Sequence, residues 1–84
     1  MIWRYMPSRD RENNGVDVWG IREVYELEGE HGGVGWTEFT VDPFGNTFDE
    51  LKHDLEMMLA DMGRGVFLDL TLDPPQIVGL TPGL

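Results

Sequence analysis

The stretch from residue 47 to residue 63 constrains the fold most, because its apolar residues follow the repeat of an amphipathic helix. Thr47 and Glu50 match a capping box, in which each side chain satisfies a backbone N–H of the other residue. Gly63 follows the last apolar position and marks the predicted end of the helix. The apolar residues recur at steps of three and four and form one stripe, which we expect to pack on the core: Phe48, Leu51, Leu55, Met58, Leu59 and Met62.

The segments on either side of this helix have the composition of strands. Residues 2–6, 16–27 and 34–41 precede the helix and residues 66–72 follow it, and all four are rich in β-branched and aromatic residues. Loops that contain Asn-Gly or several glycines join the first three strands, which favours antiparallel hairpins. The sequence therefore predicts an α+β fold of order β-β-β-α-β, in which an antiparallel sheet of about four strands has one helix packed on one face.

A chain of 84 residues has the size of one small domain. We assign residues 1–73 to a single α+β domain. We predict an irregular C-terminal tail over residues 74–84, where Pro and Gly alternate with apolar residues. No signal-peptide pattern occurs, and no apolar run approaches the roughly 20 residues of a membrane helix. Together with the absence of cysteine, this predicts a cytoplasmic protein with no membrane partner.

Asp and Glu outnumber Lys and Arg by sixteen to six, so the chain has a formal net charge of -10. Such a charge disfavours direct binding to nucleic acid or to a membrane surface, and it favours a basic protein as partner. On the helix the acids lie opposite the apolar stripe, and further acids follow the second strand. We predict that this acidic surface binds the partner through Glu50, Asp54, Glu56, Met57 and Asp61 of the helix and through Glu26, Glu28 and Glu30 of the strand and its loop.

The residue types that perform catalysis are few in this chain. His31 and His53 are the only histidines, and Ser8 is the only serine, with no base close to it in sequence. The glycines of residues 32–35 enter a strand rather than a helix, so they do not form a phosphate-binding loop. Residues 42–46 lack the alternating oxygen ligands of a calcium loop. We therefore predict no enzymatic activity, no cofactor and no metal site, and a pocket converging on either histidine would favour a small enzyme instead.

The aromatic residues of the predicted strands have two interpretations. Most should fill the core beneath the helix, and any on the face that a single helix leaves open would mark an interface. The second interpretation leaves a homodimer open. Stacking on single-stranded nucleic acid is not indicated, because it needs a basic groove beside the rings. The residues concerned are Trp3, Tyr5, Trp19, Tyr25, Trp36 and Phe39.

Short motifs relate the chain to two groups of proteins. E-V-Y at residues 23–25, W-T-E at 36–38 and P-F-G at 43–45, followed by an acidic helix, resemble a pattern of small bacterial proteins with no assigned activity, over roughly residues 1–68. The three-stranded meander followed by G-N-T-F-D-E-L at residues 45–51 is similar to HicB-type antitoxin domains, in which such a turn starts the helix. That resemblance implies only the toxin-neutralising half of the family's function, because the chain lacks a DNA-binding segment.

Size, acidity and lack of cysteine also make the chain similar in profile to phage-encoded inhibitors, which include anti-CRISPR proteins and DNA mimics. We therefore expect a non-enzymatic inhibitor whose acidic face occupies a basic, nucleic-acid-binding surface of a partner protein. One alternative is a HicB-like antitoxin module that neutralises a small basic toxin. Another is a housekeeping domain whose acidic helix face is solvated and only aids solubility.

Overall fold

The computed structural model describes residues 2–27 and 33–80. These residues form an α+β fold, as the sequence predicts. The elements are β1 (Ile2–Arg11), β2 (Asp17–Glu26), β3 (Val34–Trp36), α1 (Phe48–Met62), β4 (Val66–Asp69) and β5 (Gln76–Gly79). In the described part of the chain, no helix is both long and apolar enough to cross a membrane.

The strands form one mixed sheet in the order β3-β2-β1-β4-β5. β1 and β2, β2 and β3, and β4 and β5 are antiparallel pairs, whereas β1 and β4 run parallel. The prediction of an antiparallel sheet of about four strands was wrong in these details. The physical reason is that α1 returns the chain before β4 starts, so that β4 runs in the direction of β1, and a parallel pair needs a crossover of this kind.

The tail that we predicted to be irregular, residues 74–84, contains β5, which pairs with β4 along its whole length. Ile77 and Val78 are half-buried in this strand. The prediction was wrong because the prolines of residues 74–75 lie between β4 and β5, where they interrupt no ladder and act as connecting residues. Residues 81–84 lie outside the described part of the chain.

β1 is longer than predicted and continues through Pro7 to Arg11. The backbone carbonyl of Arg9 accepts a hydrogen bond from the Leu70 N–H at 2.8 Å. The backbone nitrogen and carbonyl of Arg9 therefore face β4. Those of Pro7, two residues earlier, face the same side. Pairing with β4 starts only at Ser8. Because of this register, the N–H that Pro7 lacks costs the sheet no ladder hydrogen bond.

β3 is shorter than the predicted strand over residues 34–41, because its regular pairing with β2 ends after three residues. The chain nevertheless stays beside β2, where the Val41 N–H donates to the Ile21 carbonyl at 2.7 Å. Gly20 permits this close approach, since a Cβ at Gly20 would lie 2.4 Å from the methyl carbon of Thr40. The segment after β3 thus leads along β2 towards the start of α1.

The hydrophobic core lies on the face of the sheet that α1 does not cover. Met6, Val24 and Leu68 form its buried centre. Trp36 of β3 and Ile77 of β5 also pack against this centre, although their strands are at opposite edges of the sheet. The sheet therefore curls around the core and encloses it largely by itself.

α1 lies over the outer face of the sheet, with a different side towards it from the one that we expected. Met58 is buried, whereas Leu59 and Phe48 of the predicted stripe are 71% and 78% exposed. Asp54 and Asp61 face the sheet and accept hydrogen bonds from β1. At 100° per residue, their side of the helix is about a quarter turn from the centre of the stripe. The expectation that the whole stripe packs on the core was wrong, because the centre of the core is on the other face of the sheet, and burial of Met58 together with polar contacts attaches α1.

The predicted start of α1 is confirmed. The Thr47 side chain accepts a hydrogen bond from the Glu50 N–H at 3.1 Å. The Glu50 carboxylate accepts one from the N–H of Asn46, just before the N-cap, at 2.8 Å. At the other end, Gly63 is the C-cap residue with a φ of -68°, and a positive φ of 76° occurs at Gly65 instead. The N-terminal hydrogen bonds fix α1 relative to the turn before it.

That turn depends on a close backbone approach at Gly45. A Cβ at this residue would lie 2.4 Å from the Leu51 nitrogen and 2.7 Å from the Glu50 carbonyl carbon, which are backbone atoms and cannot rotate away. We expect Gly45→Ala to lower the free energy of unfolding by about 1–3 kcal/mol, the usual cost of overpacking. Urea denaturation followed by circular dichroism measures this change.

Gly35→Ala is the matched control, because nothing lies within 4 Å of a Cβ at Gly35. We expect this variant to change the free energy of unfolding by no more than about 0.5 kcal/mol. Equal losses in the two variants would show that the turn does not need the close approach at Gly45.

Candidate functional site

An open cleft of about 640 Å³ lies between α1 and the outer face of β1 and β2, and we call it the acidic cleft. Trp3, Tyr5 and Phe44 give it an aromatic lining. The rings of Trp3 and Tyr5 meet edge to face, with centroids 5.3 Å apart. Aromatic rings next to negative charge suit a cation. The carboxylates that line the cleft are Glu23, Asp42, Asp49, Glu50 and Asp54.

Asp54 joins the helix to the other parts of the acidic cleft. Its Oδ1 accepts a hydrogen bond from the Tyr5 hydroxyl, and its Oδ2 accepts one from the Phe44 N–H at 2.8 Å. The hydrogen bond from Tyr5, followed by that from Phe44, lowers the pKa of Asp54 below its ordinary value. Burial, together with the Asp54 carboxylate, raises the pKa of Tyr5 to about 12. At neutral pH the pair is therefore an ionised carboxylate and a neutral phenol.

Asp61, two turns further along α1, is also bound to β1, the strand that contains Tyr5. Its Oδ2 accepts a hydrogen bond from the Tyr5 N–H at 3.0 Å. This N–H precedes the point at which β4 begins to pair with β1, so Asp61 takes the place of a strand partner. The Oδ1 of Asp61 also lies 3.3 Å from the Nε of Arg64. Asp61 thus attaches α1 to β1.

The arginine charges are neutralised away from the acidic cleft. Each of the five arginines forms an ion pair with a carboxylate, at distances of 2.5–3.6 Å. None of the carboxylates in these pairs lines the cleft. Among the described residues, the basic side chain that lines the cleft is His53. The ion pairs are Arg4–Glu26, Arg9–Asp69, Arg11–Asp17, Arg22–Asp10 and Arg64–Asp61.

The structure separates the helix residues that we predicted to bind a partner. Glu50, Asp54 and Met57 line the acidic cleft. Glu56 does not line the acidic cleft and borders, with Lys52, a different groove along α1. The expectation that the acids of α1 form one outward face was wrong, because the orientation of α1 places Asp54 towards the sheet, and Met57 is half-buried.

Among the described residues, two further predicted site residues, Asp61 and Glu26, do not line the acidic cleft. Asp61 is held by the contacts given above, and Glu26 forms an ion pair with Arg4 at 3.0 Å. Glu28 and Glu30 lie outside the described residues. A partner-binding role for these four residues stays a prediction.

The sequence did not predict eight of the residues that line the acidic cleft as site residues: Trp3, Tyr5, Glu23, Val41, Asp42, Phe44, Asp49 and His53. The strand pattern of the sequence did indicate part of this lining. Trp3 and Tyr5 share one parity of β1, and Glu23 lies directly opposite Tyr5 in the antiparallel pair. These residues therefore had to share a face of the sheet. The side of α1 that faces the sheet could not be predicted in the same way. The apolar stripe indicated that the stripe itself would face the sheet.

A second polar cluster is buried between the strands. Arg22, which is 7% exposed, donates from Nε to the Ser8 hydroxyl at 3.0 Å. It also donates from Nη1 to the backbone carbonyls of Thr37 and Glu38 at 3.0 and 2.6 Å. The Ser8 hydroxyl donates to the Gly20 carbonyl at 3.3 Å. Since a guanidinium cannot accept a proton, this arrangement cross-links strands and does not activate Ser8 as a nucleophile.

Asp69 holds the pairing of β1 with β4. It accepts hydrogen bonds from the Arg9 guanidinium and from the N–H and hydroxyl of Thr71. The bonds from Arg9 and then from Thr71 lower the pKa of Asp69 to about 2. The Arg9 guanidinium also lies over the rings of Trp19 and Phe67, at 5.8 and 5.4 Å from their centroids. We assign this cluster to the stability of the sheet.

The prediction of no metal site stays a prediction. Among the described residues, no group of three His, Asp or Glu side chains could hold a metal ion. His53 lines the acidic cleft, which is the feature that would favour a small enzyme. Within the same residues no hydrogen bond orients its ring, as a general base would require. His31 lies outside them.

No protein-family model matches this chain, and neither a curated protein nor a solved structure matches it closely enough to indicate a relationship. The resemblances drawn from short motifs therefore stay hypotheses. The function has to be argued from the geometry of the acidic cleft.

Burial of Tyr5, together with its hydrogen bond to Asp54, predicts an unusual alkaline titration. The pKa of Tyr5 is raised from 10.0 to about 12, so the neutral phenol favours the folded state. This contribution to stability is complete below pH 10 and is lost as the pH rises towards 12. We expect a late tyrosinate absorbance step in the ultraviolet titration of the folded protein.

Tyr5→Phe should remove that late step, and Asp54→Asn should move it to lower pH because it removes the carboxylate. Tyr25 has a raised pKa as well, owing to burial and then to Glu23, so the comparison is made by difference between variants. An unchanged titration in Tyr5→Phe would contradict the assignment.

Proposed function

We propose that this protein is a non-enzymatic binding protein that takes a basic segment of a partner protein into its acidic cleft. The observation that carries the proposal is the set of five carboxylates around an aromatic lining, none of which is in an ion pair with an arginine. A cation over an aromatic ring is stabilised by the ring's electrons, and carboxylates add charge-assisted hydrogen bonds. Arginine and lysine side chains offer the matching chemistry.

The dimensions of the acidic cleft favour a segment of several residues. Its volume of about 640 Å³ is within the range of sites for small molecules and is more than one side chain fills. Trp3, which lines the cleft, is 45% exposed and presents apolar surface to an incoming side chain. A guanidinium could thus stack on an aromatic ring while its N–H groups reach Glu23 or Asp49.

The net charge of -10 supports the same kind of partner at longer range. A strongly acidic protein is steered towards a basic surface, and the association weakens as salt screens the charges. Surfaces that bind nucleic acid are basic because they neutralise phosphates. We therefore infer that the protein occupies such a surface, in the manner of a DNA mimic or an anti-CRISPR inhibitor, with carboxylates on α1 in the place of phosphates.

An antitoxin module is the second candidate. The observation that favours it is the antiparallel series β1-β2-β3, followed by the turn at residues 45–51 that starts α1. A small basic toxin would then be the partner. Interference with nucleic-acid binding by an effector favours the first candidate, and rescue of growth from a co-expressed toxin favours the second.

Charge reversal inside and outside the acidic cleft tests the proposed site. Asp42→Lys places a positive charge in the cleft, whereas Asp73→Lys makes the same substitution at another exposed Asp that precedes a proline. The probe is a labelled oligo-arginine peptide, measured by fluorescence anisotropy at low and high salt. We expect Asp42→Lys to weaken binding about tenfold and Asp73→Lys less than about threefold.

Equal weakening by the two variants would show that bulk charge, and not the acidic cleft, attracts the peptide. Binding that is insensitive to salt would also overturn the proposal. The partner itself is sought by affinity capture from the native host, with Asp42→Lys as the negative control. A captured protein supports the proposal when it binds nucleic acid and releases it in the presence of the wild-type protein.

A further inference from the structure

α1 has an apolar side that does not line the acidic cleft and whose side chains are largely exposed. We call it the helix stripe and define it as Phe48, Leu51, Leu55, Leu59 and Met62, which are between 36% and 78% exposed. A groove of about 470 Å³ runs beside it. Apolar surface of this extent is uncommon on a soluble monomer and usually marks an interface.

The helix stripe is symmetric in sequence about its middle residue, Leu55. Leu51 and Leu59 lie four positions to either side, and Phe48 and Met62 lie seven positions to either side. Two copies of α1 that cross antiparallel at Leu55 would therefore place Leu51 against Leu59 and Phe48 against Met62. A two-fold interface needs this kind of self-complementary surface, in which one patch meets a copy of itself.

The charges beside the helix stripe are self-complementary as well. Lys52 and Glu56 both line the groove, on the same flank of the stripe. A two-fold axis perpendicular to the helices brings this flank against the same flank of the second copy. At 1.5 Å per residue, Lys52 is then offset along the helix by only about 3 Å from the second copy's Glu56 and by about 9 Å from its Lys52. Glu56 is offset by about the same 3 Å from the second copy's Glu56, so two contacts between opposite charges stand against one contact between like charges.

Three of the other acids of α1 lie away from this contact. Asp54 and Asp61 face β1, and Glu50 lines the acidic cleft. Asp49 lines the cleft as well, but it lies seven positions before Glu56 and therefore on the same side of the helix, near its N-terminal end. We propose that the helix stripe is the interface of a homodimer, in which two copies of α1 pack antiparallel about Leu55. The occupant of the groove is a second copy of this chain.

The area available agrees with a modest affinity. A standard interface buries about 800 Å² on each partner, more than one helix about 22 Å long supplies alone. The apolar surface extends beyond Met62, where Pro7, Trp19 and Ile21 line a continuation of the groove. Trp19 is 55% exposed there. Two copies with a net charge of -10 repel each other, so salt should strengthen this association, in contrast to cation binding in the acidic cleft.

Sedimentation equilibrium on the full chain tests the interface. We expect the wild type to dimerise and Leu59→Lys to raise the dissociation constant at least about tenfold, because it buries a charge in the interface. Phe39→Lys is the matched control, since Phe39 is 75% exposed and does not belong to the helix stripe. It should leave the dissociation constant unchanged.

A mixing experiment tests the antiparallel arrangement. Lys52→Glu and Glu56→Lys should each dimerise more weakly than the wild type, because each brings like charges together across the two-fold axis. Mixed in equal amounts, the two variants should associate at least as strongly as the wild type, because every close contact of the mixed dimer then joins opposite charges.

A wild type that remains monomeric up to about 1 mM would overturn the proposal, and so would a mixture that associates no better than its components. Binding of a different protein to the helix stripe of a monomer would overturn it too. Leu59→Lys should keep its affinity for the oligo-arginine peptide, so failure of the dimer is distinguishable from failure of the acidic cleft.

Discussion

The hydrogen bonds that Asp54 accepts from Tyr5 and Phe44 decide which side of α1 faces the sheet. One carboxylate thereby connects the first strand, the turn before the helix and the helix itself. A polar connection of this kind is directional, in contrast to apolar packing, which tolerates rotation of a helix about its axis. Asp61 repeats the connection two turns later through the Tyr5 N–H. The other surfaces of the helix follow from this orientation.

Because carboxylates attach α1, its two flanks differ in chemistry. The acidic cleft collects negative charge beside aromatic rings on one flank, and the helix stripe leaves apolar side chains in solvent on the other. A helix held by its apolar residues would have placed the acids outside and the stripe inside. The protein can instead present a surface for cations and a surface for apolar contacts on one short element.

The sequence predicted the α+β class, the N-cap at Thr47 and the approximate strands correctly, because these depend on local periodicity and capping. It did not predict the parallel pairing of β1 with β4 or the ordered β5, since both depend on contacts far apart in the chain. The acidic cleft was only partly predictable. Glu50 and Asp54 were predicted from their charge. Trp3 lies beside them in the cleft because the curled sheet encloses its core without the helix stripe, which the sequence did not indicate.

The pairing of β1, the middle strand of the sheet, with β4 also has a consequence for biosynthesis. Arg9 of β1 meets Asp69 of β4, 60 positions later, whereas the hairpin of β1 and β2 closes locally. Closing so long a loop costs chain entropy before any contact compensates for it, so one edge of β1 stays open while the chain is synthesised. Open edges pair readily with other nascent chains. A charged side chain such as that of Arg9 disfavours such pairing at an open edge. In the folded protein the same guanidinium holds β1 to β4 through Asp69.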